Sequence, residues 1–131
     1  MMQRILYPMI RVGDLDRSVA FYRRLGLTEL RRRDVPHGNY TLSFLGFDGS
    51  RETAIELTYN DGVPAYEHGT AFGQLVVEVP DVYGLCEALR AAGVPIRREP
   101  GPVKFGTTLI AFVEDPDGYK IELIQHEPAA A

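Results

Sequence analysis

The sequence contains one short unit twice, and this repetition constrains the fold more than any other feature. Three segments recur: 11–15 as 78–82, 25–27 as 92–94, and 54–57 as 120–123. Asp14 and Asp81 are separated by 81 − 14 = 67 residues, and Glu56 and Glu122 by 122 − 56 = 66 residues. An offset this constant over half the chain indicates an internal duplication.

Each half has the pattern of one strand, one helix and three further strands. The predicted strands are 4–12, 27–34, 39–47 and 53–60 in the first half, and 73–79, 95–99, 107–114 and 119–125 in the second. Asp14 and Asp81 are suitable helix N-caps, and Gly26 and Gly93 suit the helix ends. The predicted fold class is α+β. We expect a single domain over residues 1–131, with βαβββ repeats at about 4–64 and 71–126.

Composition and charge argue against several classes of protein. A chain of 131 residues can form one domain with a hydrophobic core, but not two independent ones. A formal net charge of −4 argues against a nucleic-acid partner. No segment approaches the ~20 apolar residues of a membrane helix, and Met1 to Arg11 lacks the pattern of a signal peptide. The single Cys86 suits a reducing compartment. We therefore expect a cytoplasmic protein without a membrane or nucleic-acid partner.

Glu56 and Glu122 are the strongest chemical signal in the sequence. Each lies in the middle of a predicted strand between Ile and Leu. A carboxylate on a buried face is costly unless it is paired, hydrogen-bonded or bound to a metal. One such glutamate is more often an exposed residue of a one-sided sheet, but a pair at equivalent points of a duplication favours a site. Strand alternation and the repeat place Tyr7 and Gln74 on the corresponding faces.

Four stretches resemble bacterial glyoxalase I: MIRVGDL at 9–15, IELTYN at 55–60, GTAFG at 69–73 and FVEDPDGYKIEL at 112–123. The resemblance covers about residues 4–126. The string DPDGYKIE is shared by the wider vicinal oxygen chelate (glyoxalase/bleomycin resistance/dioxygenase) superfamily. The strings ELTYN at 56–60 and GPVK at 101–104 narrow the resemblance to the glyoxalase I (lactoylglutathione lyase) branch of this superfamily. The resemblance implies concave sheets and a homodimer in which two chains enclose each site.

The resemblance also implies a divalent metal, usually nickel or zinc, held by Tyr7, Glu56, Gln74 and Glu122. The bacterial pattern has histidine where this chain has Tyr7 and Gln74. The donors present are oxygen-rich and harder than imidazole. Such a set suits magnesium, manganese or calcium with weak affinity, or no ion at all.

The activity implied by the resemblance is isomerisation of the methylglyoxal–glutathione hemithioacetal to S-lactoylglutathione. In that interpretation Glu122 is the catalytic base, and Glu56 assists as a ligand or partner base. Arg11 and Asn60 bind the γ-glutamyl end of glutathione, and Lys104 lies near its glycine carboxylate. Phe105 occupies a position where the bacterial pattern tends to have a small residue.

Two rival interpretations remain open at the level of sequence. The first is a metal-poor, non-catalytic binding protein of the same fold that sequesters a drug or a glutathione conjugate. The second is a different enzyme of the superfamily, such as a thiol transferase acting on an epoxide drug, or an epimerase. The missing histidines favour the first rival, and the ELTYN string argues against the second. Of the three histidines, only His68 precedes the predicted Gln74 strand closely enough to be compared with the site.

Overall fold

The computed structural model describes residues 2–127, which form two compact units divided between Glu67 and His68. Both units contain the predicted βαβββ succession, so the predicted fold class is confirmed. The first unit consists of β1 (Met9–Arg11), α1 (Leu15–Arg24), β2 (Leu27–Val35), β3 (Tyr40–Phe47) and β4 (Ile55–Asn60). The second consists of β5 (Leu75–Val79), α2 (Val82–Ala91), β6 (Ile96–Pro102), β7 (Leu109–Glu114) and β8 (Lys120–Gln125).

The first unit is a four-stranded sheet in the order β1-β4-β3-β2. The last three strands pair as antiparallel neighbours, whereas β1 pairs in parallel with β4. Helix α1 buries one apolar stripe, made of Leu15, Val19 and Tyr22, and Leu25 at its C-cap is buried as well. Alternate strand residues such as Ile10 and Leu57 are buried on the same side of the sheet. The opposite face of this sheet is left open.

The second unit repeats this arrangement with the strand order β5-β8-β7-β6. Strand β5 is parallel to β8, and the other neighbours are antiparallel. Helix α2 buries Val82, Cys86 and Leu89. Ile121 and Leu123 of β8 are fully buried, so Glu122 between them belongs to the open face.

Both helices begin at the predicted caps. The Asp14 carboxylate accepts a hydrogen bond from the Arg17 amide at 3.0 Å, and that of Asp81 from the Gly84 amide at 3.0 Å. Gly26 and Gly93 follow the helix ends with φ of +93° and +82°, a backbone conformation that residues with a side chain rarely adopt. Neither helix is long and apolar enough to span a bilayer in the part of the chain that the structure describes.

The predicted strand boundaries were wrong at the start of each half. Strand β1 begins at Met9 instead of residue 4, so Tyr7 and Pro8 precede it. Proline has no amide hydrogen for a sheet ladder, and its carbonyl instead accepts a hydrogen bond from the Glu56 amide at 3.0 Å. Strand β5 likewise begins at Leu75, one residue after Gln74. Both predicted metal ligands that replace histidine therefore lie just before a strand.

Candidate functional site

Glu56 lies on the open face of the first sheet, as the strand alternation predicted. Its neighbours Ile55 and Leu57 are buried on the other side, while Glu56 itself is half-buried. Its cross-strand partners are Met9 of β1 and Phe44 of β3. The Thr58 hydroxyl lies 3.4 Å from the carboxylate and donates a long hydrogen bond to it.

Arg11 and Asn60 share the open face with Glu56. Arg11 pairs with Thr58, two residues from Glu56 along β4, and its side chain is exposed. The Asn60 amide nitrogen donates a 2.9 Å hydrogen bond to the Tyr66 hydroxyl, which orients the amide oxygen. These two groups therefore lie on the same side of the sheet as the glutamate.

Tyr7 packs against Phe44, which is the cross-strand partner of Glu56. The Tyr7 and Phe44 rings meet edge-to-face with centroids 6.0 Å apart. The Arg31 guanidinium covers the other part of the Phe44 ring, 4.0 Å from its centroid. These contacts explain why Phe44 is only 4% exposed although it lies on the open face.

In the second unit, Gln74 and Glu122 are in direct contact. The Gln74 amide nitrogen lies 3.3 Å from a Glu122 carboxylate oxygen and donates a hydrogen bond to it. Glu122 pairs with Val76 on one side and Phe112 on the other, which reproduces the Met9–Glu56–Phe44 row of the first unit. Gln74 and Glu122, two of the four predicted metal ligands, are therefore adjacent in this half.

Lys104 lies further from Glu122 than the other candidates of its unit. The Pro102–Leu109 pair lies three residues along β7 from Phe112, roughly 10 Å, and Lys104 lies beyond this pair in the turn that follows β6. Its ammonium lies 5.2 Å from the centroid of the Phe105 ring. Lys104 and Phe105 are both exposed, and they mark the end of the open face instead of its centre.

The three histidines lie outside the predicted donor set. His126 forms a 3.3 Å contact with Glu78 on the open face of the second sheet, with both side chains largely exposed. His68 stacks on Tyr119 with ring centroids 4.1 Å apart, and Phe72 packs against the edge of Tyr119. His37 belongs to a short 3₁₀ helix, Pro36–Gly38. The packing of His68 against Tyr119 gives it a structural role in the loop that leads to Gln74.

The donors at the site do not fit nickel or zinc. Within residues 2–127, no cluster of three or more His, Cys, Asp or Glu side chains is arranged to hold an ion. At the predicted ligand positions, the first unit has a carboxylate and a phenol, and the second has a carboxylate and an amide whose nitrogen faces that carboxylate. Nickel and zinc favour imidazole or thiolate ligands, and neither type is present at these positions.

Sequence reasoning missed Phe44, Phe112 and Arg98. Phe44 and Phe112 are the cross-strand partners of Glu56 and Glu122, and they are related by the repeat, since 112 − 44 = 68. Arg98 pairs with Phe112 as Arg31 pairs with Phe44, and 98 − 31 = 67. Extending the offset from the glutamates to their neighbouring strands would have found all three.

Comparison with known proteins first defines the class. A sequence profile described as the Glyoxalase/Bleomycin resistance protein/Dioxygenase superfamily matches residues 4–123. This match covers nearly the whole described chain and both repeats. The match agrees with the two four-stranded sheets and with the glutamate on the open face of each.

The particular family follows from individual relatives. Lactoylglutathione lyase of Haemophilus influenzae is 57% identical over 126 residues, which cover 95% of this chain and 93% of that protein. Lactoylglutathione lyase of Escherichia coli O157:H7 is 52% identical over 128 residues, covering 96% of this chain and 95% of that protein. The chain therefore belongs to the glyoxalase I (lactoylglutathione lyase) family of enzymes. Membership of this family suggests a divalent metal cofactor.

Solved structures of the same family have the same fold. Glyoxalase I from Zea mays matches with a TM-score of 0.90 and 50% identity, over 95% of this chain and 45% of the maize chain. This chain thus spans just under half the length of the maize protein. The trypanothione-dependent glyoxalase I of Leishmania major matches with a TM-score of 0.83 and 49% identity, over 95% of this chain and 87% of that chain.

Proposed function

We propose that this protein isomerises the methylglyoxal–glutathione hemithioacetal to S-lactoylglutathione. The observation that carries the proposal is the 57% identity to a lactoylglutathione lyase over 95% of the chain. Glu56 and Glu122 on equivalent open faces support it, because the reaction needs a carboxylate base at a sheltered site. At this level of identity the reaction type is expected to be shared, while the details of the site can differ.

The chemistry moves one proton between adjacent carbons. The proton leaves the carbon that bears sulfur and hydroxyl, and it returns at the neighbouring former carbonyl carbon. The hydroxyl proton moves to the former carbonyl oxygen, so that the sulfur-bearing carbon becomes the thioester carbonyl. Glu122 is the base in this proposal, and Glu56 is its partner from the other repeat. The hydrogen bond from the neutral Gln74 amide orients the Glu122 carboxylate. General-base catalysis of this kind contributes about 10²–10⁴-fold in rate.

The enediolate intermediate also requires groups that stabilise its negative charge. We assign no step to nickel or zinc, because the donors do not fit either ion. The hydrogen-bond donors that this chain offers in place of imidazole are the Tyr7 phenol and the Gln74 amide. The replacement of two metal ligands is expected to lower the rate by at least about 10–100-fold relative to a family member with both histidines.

Substrate binding in this proposal uses the two carboxylates of glutathione. The exposed Arg11 guanidinium can bind one carboxylate through two parallel hydrogen bonds. The amide oxygen of Asn60, oriented by Tyr66, can accept a hydrogen bond from the γ-glutamyl ammonium. Lys104 supplies the positive charge for the glycine carboxylate at the far end of the second sheet.

We further propose that the active form is a homodimer. Glu56 and Glu122 belong to different units, and each is flanked on the open face by an exposed apolar residue. Met9 beside Glu56 is 42% exposed, and Val76 beside Glu122 is 56% exposed. Exposed apolar side chains next to a half-buried carboxylate are typical of a surface that a second chain covers. Light scattering should give a mass of two chains, and a monomer mass would contradict this part of the proposal.

A metal-poor, non-catalytic binding protein is the second candidate function. The observation that favours it is the specific replacement of histidine by Tyr7 and Gln74, while the groups for glutathione are kept. Such a protein would bind glutathione conjugates without turnover. Its binding would depend on Arg11 and Lys104 and not on Glu122.

The test measures thioester formation from methylglyoxal and glutathione, together with the metal content of the purified protein. We expect turnover that falls about 10²–10⁴-fold in Glu122→Gln. Glu78→Gln is the matched control, because Glu78 lies on the same open face but pairs with His126. Conjugate binding without turnover and without metal would instead support the second candidate. Turnover that survives Glu122→Gln unchanged would refute the assignment of the base.

A further inference from the structure

Strand β6 is distorted twice, whereas its counterpart β2 is distorted once. The register of β6 against β7 shifts between Ile96 and Arg98, and again between Arg98 and Gly101. Within residues 2–127, β2 shifts its register against β3 once, between Glu29 and Arg31. A bulge redirects the strand that follows it. The additional bulge of β6 immediately precedes the turn that carries Lys104.

Arg98 spans this second bulge with its guanidinium. One terminal nitrogen donates hydrogen bonds to the carbonyls of Glu99, Gly101 and Ile110, at 3.1, 2.8 and 3.0 Å. The other terminal nitrogen donates to the Pro102 carbonyl at 2.7 Å. Three of these carbonyls belong to the bulged strand and one to the neighbouring β7. A planar guanidinium can hold several carbonyls at fixed angles, which an ammonium cannot.

The equivalent residue of the first unit has a different role. Arg31 occupies the same repeat position, yet its guanidinium lies over the Phe44 ring at 4.0 Å. Arg98 is the cross-strand partner of Phe112, but its guanidinium turns to the backbone of the bulge. The difference coincides with the additional bulge. We conclude that the contacts of Arg98 serve the local course of β6 and are not a general feature of the repeat.

The turn after β6 is short and has few bonds of its own. The Val103 amide donates to the Thr108 carbonyl at 2.8 Å, and the Gly106 amide to the Val103 carbonyl at 3.2 Å. Lys104 and Phe105 at its tip are exposed. Pro102, whose carbonyl Arg98 binds, is the last residue of β6 and directly precedes this turn. The direction in which Lys104 leaves the sheet therefore depends on Arg98.

We propose that Arg98 is a positioning residue that fixes the Lys104 turn, and through it the place where the carboxylate end of the thiol substrate binds. This inference rests on the proposed function only for the identity of the ligand. Arg98 does not touch the substrate in this proposal. It acts by holding Lys104 in one place, so that the ammonium is already ordered when the glycine carboxylate binds.

The first experiment tests the turn without any ligand. Hydrogen exchange of the Val103 amide is measured in the wild type, in Arg98→Lys and in Arg98→Met. We expect exchange at least about tenfold faster in both variants, because the strand end is released. Arg97→Met is the matched control, since Arg97 is the adjacent exposed arginine and pairs with Glu114. Unchanged exchange in both Arg98 variants would overturn the proposal.

The second experiment links the turn to the ligand by calorimetric titration. The probes are S-methylglutathione and its glycine ethyl ester, which lacks the free glycine carboxylate. Arg98→Lys and Lys104→Met should each weaken binding of the free acid about tenfold. The double variant should be no weaker than either single variant, because both remove the same interaction. The ester should bind equally to all four proteins.

Each remaining outcome has a defined meaning. Equal weakening for acid and ester, or additive losses in the double variant, would overturn the proposal. If neither Arg98 variant folds, as judged by thermal melting, Arg98 serves the stability of the sheet and the proposal fails. If the wild type binds neither probe, the proposed function fails together with the ligand part of this inference. The exchange measurement still decides in that case whether Arg98 fixes the turn.

Discussion

At the scale of single residues, the backbone at Phe105 is the clearest departure from an unstrained chain. Among residues 2–127, the non-glycine residues with positive φ are Asn39 at 58° and Phe105 at 95°. Asparagine tolerates this region because its short side chain bonds locally, but a bulky aromatic residue does not. Phe105 is 98% exposed, so no packing within its unit compensates for the strain.

Phe105→Gly should therefore raise the free energy of unfolding, by about 1 kcal/mol, as measured by urea denaturation. Asn39→Gly is the matched control, and it should change the stability by only a few tenths of a kcal/mol, roughly. An equal gain in the two variants, or a loss in Phe105→Gly, would show that the Phe105 backbone is not strained.

Cys86 is fully buried in α2, and burial raises the pKa of its thiol. The unfolded thiol ionises near its ordinary pKa of about 8.5. The contribution of this group to stability is therefore complete below that pH, and it is lost as the pH rises toward the higher pKa of the folded state. The thiol is expected to be inert to alkylating reagents while the protein is folded.

The free energy of unfolding of the wild type should fall relative to that of Cys86→Ala between about pH 8 and pH 10. The slope attributable to this group cannot exceed about 1.4 kcal/mol per pH unit. Denaturant titrations at a series of pH values give the difference between the two proteins, in which other titrating groups largely cancel. Parallel curves for the two proteins would contradict the raised pKa.

At the scale of elements, the two helices are positioned by the same device. Each begins at an aspartate with extended backbone whose carboxylate accepts a hydrogen bond from an amide of the first turn. The first amides of a helix have no hydrogen-bond acceptor within the helix, and the aspartate carboxylate accepts a hydrogen bond from one of them. Asp14 and Asp81 are thus equivalent residues with equivalent roles, unlike Arg31 and Arg98.

Asp81→Ala should lower the free energy of unfolding by about 1 kcal/mol. Asp81→Asn keeps an acceptor oxygen and should change the stability by only a few tenths of a kcal/mol, roughly. Thermal melting of the three proteins at one pH provides the measurement. Equal losses in the two variants would mean that charge, and not the cap hydrogen bond, is responsible.

At the scale of the whole molecule, the open question is what replaces the two imidazoles of the bacterial pattern. The fold supplies two equivalent faces with a glutamate on each, and both residues that replace histidine lie just before a strand. The ability to hold nickel or zinc should depend on these two side chains alone.

Tyr7→His combined with Gln74→His should make the protein bind nickel or zinc more tightly than the wild type does. We expect about one ion per site after loading, together with a rise in thioester formation of at least about 10-fold. Elemental analysis after dialysis gives the metal content. Adding His68→Ala to the double variant is the control, since His68 stacks on Tyr119 and should not contribute a ligand. Failure of the double variant to retain either ion would contradict this explanation.

Much of the fold was predictable because its signals are local. The apolar patterns and the aspartate caps each involve only a few neighbouring residues, and both recur in the second half at an offset of about 67 residues. They gave the fold class, both helices and the face on which Glu56 and Glu122 lie. Strand alternation has a period of two, so a buried neighbour on each side already places a glutamate on the opposite face.

Only the tertiary structure decided the contacts between residues that are distant in sequence. It placed Tyr7 before β1 and against Phe44, joined Gln74 to Glu122, and turned Arg98 away from Phe112 toward four backbone carbonyls. Strand ends and bulges depend on which hydrogen-bond partner the neighbouring strand offers, and no single strand's sequence contains that information. The duplication determined the succession of strands and helices in each half, and the pairing of the strands determined which contacts the side chains of each half make.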